Sequence, residues 1–98
     1  MVHNLGRVDW SRLDEIGLGF DWALEADARM KAFIQEGNHA ALIGYETQGE
    51  AFRLAIPTPE HFLPLLYCLG LKRSDDDIRF FNEKPVAGAL TMTSVQLG

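Results

Sequence analysis

The sequence predicts an α/β chain forming one small domain over residues 1–98. Three observations carry this. Apolar residues recur at helical spacing between Phe20 and Glu36, and a block from Phe62 to Leu71 is apolar almost throughout. Near the C-terminus, β-branched residues alternate with others in the manner of a strand. Ninety-eight residues bury an adequate but not a generous core.

In chain order, "MVHNLGRVDW" has neither caps nor periodicity and reads as a loop. From Phe20 to Glu36 the pattern is an amphipathic helix. Phe20, Ala23, Met30 and Phe33 or Ile34 form the stripe, and Glu25, Asp27, Arg29, Lys31 and Glu36 lie mainly around the rest. Gly37-Asn38 stops it. A short helix is expected over 39–45, a turn at "TQGEAF", and a brief strand or extended approach to Pro57 at "FRLAI". Thr58 suits an N-cap and Pro59 the first helical position, which makes His61 the third residue of the next helix. Phe62, Leu63, Leu65, Leu66 and Leu69 then suggest a helix buried on most sides, bent by Pro64 and ended near Gly70. "KRSDDD" reads as a solvated loop. "IRFFNE" and "GALTMTSVQLG" read as strands joined by a Lys84-Pro85 turn.

The net charge of −5 and pI near 5.0 supply no basic patch, so neither nucleic acid nor an anionic membrane is expected as a partner. The run from Phe62 to Leu71 is about half the length a membrane span needs. Nothing at the start resembles a signal peptide. The single cysteine, Cys68, excludes an internal disulfide and reads as a small core residue of a reduced, cytoplasmic protein.

Few residues here carry chemistry on spacing alone. His39 lacks metal-ligand spacing and reads as a surface side chain. Asp75 to Asp77 repel one another and read as solvated, and Trp10 and Trp22 read as packing residues. Glu60 suits a helix first turn for electrostatic reasons. For His61, at the mouth of an apolar helix, and for His3, a site role and a merely polar role both stay open. The bland reading is the commoner one.

Order and wording add to this. "VHNLGRVDW", "WALEADA", "AIPTPEHFLPLLYCLG" and "GALTMTSVQLG", in that order, resemble the C-terminal part of the DOPA-dioxygenase-type (class III) extradiol aromatic-ring-opening dioxygenases, over essentially the whole chain. The Pro-Thr-Pro-Glu-His stretch is the specific element. "WALEADA" departs from the pattern, since the family usually has an aromatic where Ala26 stands and a tryptophan where Arg29 stands. Altered packing is expected around that helix.

The resemblance implies a piece of the α/β family fold, about three helices on a small mixed sheet. It also implies a non-haem Fe(II), or Zn(II) in its place, with a catechol-like aromatic substrate and O2. His61 matches a metal histidine. His3 matches the histidine of the "HNL" turn, the family's acid/base, which is also counted in some descriptions as a metal ligand. Imidazole suits both roles: it binds these ions well when neutral and exchanges protons near neutral pH. The family's two further metal histidines lie upstream of anything present here. A truncated piece of the enzyme, inactive alone, is therefore the expectation, and a non-catalytic interaction module is the rival. Apolar surface and an open strand edge left without the other half imply a homodimer through the Phe62 to Leu71 helix, the terminal strand, or both.

Overall fold

In the computed structural model, which describes residues 1–15 and 17–98, four helices pack on two short strand pairs. The elements are α1 (Asp21–Glu36), α2 (His39–Ile43), α3 (Glu50–Ala55), α4 (Leu63–Leu71), β1 (Ile78–Phe81), β2 (Pro85–Val86), β3 (Leu90–Thr91) and β4 (Ser94–Leu97). The class is α/β, as the periodicities imply. Among the described residues the α-helices number four, and the expected single mixed sheet is instead two antiparallel pairs, β1 with β4 and β2 with β3. One isolated parallel bridge joins Gly19 to Gly88.

Helix α1 is the scaffold. Its buried face is Ala23, Ala26, Asp27, Met30 and Ile34, a run of three- and four-residue steps. Gly37 ends it at φ 70°, with its N–H bonded to the Ile34 carbonyl and the Asn38 N–H to that of Phe33. Against this face pack Leu42, Phe52, Ala55, Ile56, Phe62 and Leu69, with Val2 closing the main core.

Several expectations are corrected. "FRLAI" is not a strand: Ala51, Phe52 and Ala55 share one face and bury it against α1, which selects the helix α3. Helix α4 starts four residues later than the cap residues suggest. Pro59 to Phe62 form a turn in which the Phe62 and Leu63 N–H groups both bond to the Pro59 carbonyl. Pro64 consequently sits in the first turn of α4, where its missing donor disrupts nothing. Within α4 itself only Leu69 is buried. Cys68 is exposed rather than core, and Gly70 lies inside the helix, which ends at Lys72. Finally, the terminal strand is broken at Met92-Thr93 into β3 and β4.

A second, smaller core gathers Val8, Ala87 and Ala89 under Phe20 and Trp22. Gly88 is its hinge. It sits at φ +81°, and a β-carbon there would fall 2.3 Å from the Phe20 ring. Gly88→Ala combines left-handed strain with an overpacked aromatic contact, so it is expected to cost about 2 kcal/mol. Urea melts of the two proteins check this, and a loss under about 0.5 kcal/mol would refute it.

Arg29 packs over the aromatic surface of the α1–α3 contact. Its guanidinium lies over the Phe52 ring at 4.8 Å and the Phe33 ring at 5.7 Å. It also donates to the Gln48 carbonyl at 2.6 Å and to Gln48 Oε1 at 3.1 Å. A planar cation thus covers aromatic surface, so Arg29 belongs to the packing rather than to the solvated face. Arg29→Lys keeps the charge but loses the planar stack and the forked donors, and should cost about 1 kcal/mol by the same melts.

Candidate functional site

The two histidines singled out in the sequence meet. Their rings lie 4.2 Å apart, centre to centre, tilted by 30°. His3 is half-buried and His61 exposed. Met1, Ala55, Ile56, Thr58 and Phe62 complete the small cleft around them.

Local structure explains how they come together. The His3 segment runs between β3 and the end of α3. His3 N–H donates to the Ala55 carbonyl at 3.0 Å, and Thr91 N–H donates to the Val2 carbonyl at 3.0 Å. Asn4, buried, donates through Nδ2 to the Leu54 carbonyl at 2.6 Å and through its main-chain N–H to the Ala89 carbonyl at 3.1 Å. The last carbonyls of α3 thus hold one histidine, while the chain leaving α3 carries the other through Ile56 and the 59–62 turn. Phe62 anchors that turn in the core, against the edge of the Tyr45 ring at 5.3 Å. Beside His61, Glu60 is held below the usual carboxylate range, first by a hydrogen bond from the Thr58 side chain and then by one from its own N–H.

A buried network fixes the opposite side of the His3 segment. Asp27 accepts from Thr91 Oγ1 at 2.7 Å and from Thr93 Oγ1 at 2.9 Å, and Val2 N–H donates to Thr91 Oγ1 at 2.9 Å. Sequence reasoning placed Asp27 on the polar side of α1 and did not single out Asn4. The signal for Asp27 was present: position 27 stands four after Ala23 and three before Met30, on the apolar stripe itself. For Asn4 nothing beyond adjacency to His3 pointed inward.

His39 lies away from this pair, beside Lys72, Arg73 and Ser74. Among the described residues, no group of three or more His, Cys, Asp or Glu side chains converges on one point. A larger cavity of about 620 Å³ opens beside the pair and shares Met1, His61 and Phe62 with the small cleft; Pro64, Leu65, Cys68, Leu71, Lys72, Asp76 and residues 93–97 except Gln96 complete it.

The pair fits an ion as far as it goes. Ring centres 4.2 Å apart leave both imidazoles within reach of one shared ion. Two donors are fewer than the three protein ligands a catalytic centre of this kind ordinarily uses.

Known proteins resemble this chain. The chain is 36% identical over 101 residues to a protein of Escherichia coli K12 named 4,5-DOPA dioxygenase extradiol, covering all of this chain and 36% of that one. This chain is related to the DOPA extradiol dioxygenases. A Portulaca grandiflora protein of the same name is 40% identical over 50 residues, covering 50% of this chain and 18% of its own length. A crystal structure of an uncharacterised E. coli K12 protein superposes with a TM-score of 0.84 at 35% identity, over 99% of this chain and 39% of that one. No family model matches. The chain spans about a third or less of the length of these curated DOPA-dioxygenase relatives. Among the described residues no helix is long and apolar enough to cross a membrane.

Proposed function

We propose that this chain is the C-terminal portion of an extradiol, catechol-type ring-cleaving dioxygenase. In this reading His61 is a metal ligand, and His3 is the acid/base and a neighbouring ligand. The observation that carries it is the 4.2 Å contact between two histidines that lie far apart in the sequence. Bound there, Fe(II) would supply the coordination that lets O2 react with the ring diol; Zn(II) is the ion that would stand in its place. The protein's own contributions are separable from that chemistry. His3, half-buried and fixed through its main chain to Ala55, holds an imidazole where a diol proton is to be taken and later returned. His61, exposed on its turn, offers its ring toward the same cleft. The kinship with proteins named for DOPA supports a catechol-like substrate.

Two imidazoles do not complete the ligand set, so the 98-residue chain alone is expected to open no DOPA ring when supplied with Fe(II) and O2. Yellow product above a metal-only control, abolished by His61→Ala, would show that the chain is sufficient. The site itself is tested by titrating Zn(II) into labelled protein. Imidazole NMR signals of His3 and His61 should shift together, with weak affinity and little change in thermal midpoint. Shifts at His39 alone, or none at the pair, would remove the metal assignment.

A further inference from the structure

We propose that the cleft between the C-terminal end of α1 and the turn after α4 binds a small phosphate monoester, its phosphate held by His39, Lys72, Arg73 and Ser74. The cleft lies apart from the histidine pair, and the inference does not depend on the metal assignment.

The cleft has a volume of about 410 Å³. Its rim brings the first half of "KRSDDD" beside His39, at the start of α2. Its floor is Ile34, 1% exposed, with the half-buried Ile78. In the sequence that run reads as one solvated acidic loop, but the fold divides it. Asp76 N–H donates to the Arg73 carbonyl at 3.2 Å, and Asp76 Oδ2 accepts from the Arg73 N–H at 2.8 Å, which closes a tight turn. Asp76 lines the larger cavity, and none of Asp75, Asp76 and Asp77 lines this cleft. The two cations and the serine are thereby separated from the aspartates that follow them.

Those cations are uncommitted. Among the described residues Arg12, Arg29, Lys31 and Arg53 form ion pairs, whereas Lys72 and Arg73 form none. Lys72 Nζ donates instead to the Arg73 carbonyl, at 2.9 Å. Part of their charge answers the negative pole of α1, which has no basic residue in its own last turn. That pole amounts to about half a unit of charge, and the Glu36 carboxylate at the rim adds a full one. Lys72 and Arg73 together exceed this sum, and His39 adds to the excess whenever it is protonated. A positive surplus thus persists locally in a chain of net charge −5.

Donor chemistry then selects the ligand. A guanidinium fork, an ammonium, a hydroxyl and an imidazole match the three free oxygens of a phosphate monoester better than the two of a carboxylate. A bare phosphate would leave most of the cleft empty. Ile34 and Ile78 offer apolar surface to the carbon body of an ester, the usual division of labour in a small-molecule site.

The test titrates the isotope-labelled 98-residue chain with inorganic phosphate, then with n-butyl phosphate, each against sodium chloride at matched ionic strength. Expected are saturable NMR shifts at the amides of His39, Lys72, Arg73 and Ser74 with both phosphates. The methyls of Ile34 and Ile78 should move with butyl phosphate alone, which binds the tighter of the two. Arg73→Gln, at an exposed position, should weaken binding at least about tenfold. Lys72→Gln should weaken it too, while Arg12→Gln, exposed and paired with Glu15 elsewhere, should leave it unchanged. Shifts that chloride reproduces, binding indifferent to Arg73→Gln and Lys72→Gln, or an ester that leaves the isoleucine methyls unmoved would each overturn the proposal. Zinc binding at His3 and His61 is read from other signals, so either assignment can fail without the other.

Discussion

Asp27→Ala is expected to destabilise the chain by about 3 kcal/mol, because it removes the acceptor at the centre of a buried network. Both carboxylate oxygens are engaged, by Thr91 and Thr93, and the residue is 8% exposed. Without it, two buried hydroxyls lose their acceptor, and desolvated donors left unpaired cost more than an average hydrogen bond contributes. Lys31, 4.0 Å from Asp27 and 2.8 Å from Glu83, adds a weaker, more exposed attraction. Asp27→Asn should recover part of the loss, since one amide oxygen still accepts. The mechanism can be separated from generic damage by a double-mutant cycle with Thr91→Val. If the network is real, the two changes are strongly non-additive, coupled by about 1 kcal/mol or more. Additive losses would mean that the carboxylate acts alone. The consequence reaches the site, because Thr91 also receives the Val2 N–H, one residue before His3.

The parts of the fold that the sequence disclosed are those in which local pattern and tertiary packing agree. Helix α1 is legible because its period and its Gly37-Asn38 stop point the same way. β1 is legible because Ile78 and Phe80 alternate in burial with Arg79 and Phe81. The α3 segment misled because five residues are too few for periodicity to separate a strand from a helix; its helicity comes from burying Phe52 on α1. At α4, Thr58 and Pro59 formed a good local start signal, yet the chain spends those residues on the turn that presents His61. Apolar composition likewise misplaced Cys68 and Leu63. Composition reports what a residue prefers, and on α4 those preferences remain unmet at the open cavity beside it. The histidine pair was legible only through ordered resemblance, since no local spacing links His3 to His61. Of the two residues that hold the His3 segment, Asp27 was legible from its place on the apolar stripe of α1, and Asn4 was not.

Phe52→Ala is expected to be the most damaging single change, costing about 4 kcal/mol. Phe52 is the largest of the fully buried side chains and is 0% exposed. It meets the Phe33 ring at 6.0 Å and carries the Arg29 guanidinium on its face. Truncation would leave a cavity at the α1–α3 contact and remove the surface on which Arg29 stacks. Stability of a domain this small is typically about 5–15 kcal/mol, so the variant would approach the unfolding threshold. Phe52→Leu retains most of the buried volume and should cost roughly 1–2 kcal/mol, keeping the test within a measurable range. At about 4–8 °C per kcal/mol, that is a drop in Tm of roughly 5–15 °C. The site gives a second readout. Helix α3 ends in the carbonyls that hold His3 and Asn4, and the chain beyond it carries His61. Loosening its seat should therefore weaken the contact between the two imidazoles before the chain unfolds. In Phe52→Leu, ring-to-ring NOEs between His3 and His61 should weaken while those within α1 persist. Unchanged histidine contacts at a lowered Tm would show that the pair is held by the 59–62 turn alone, independently of α3.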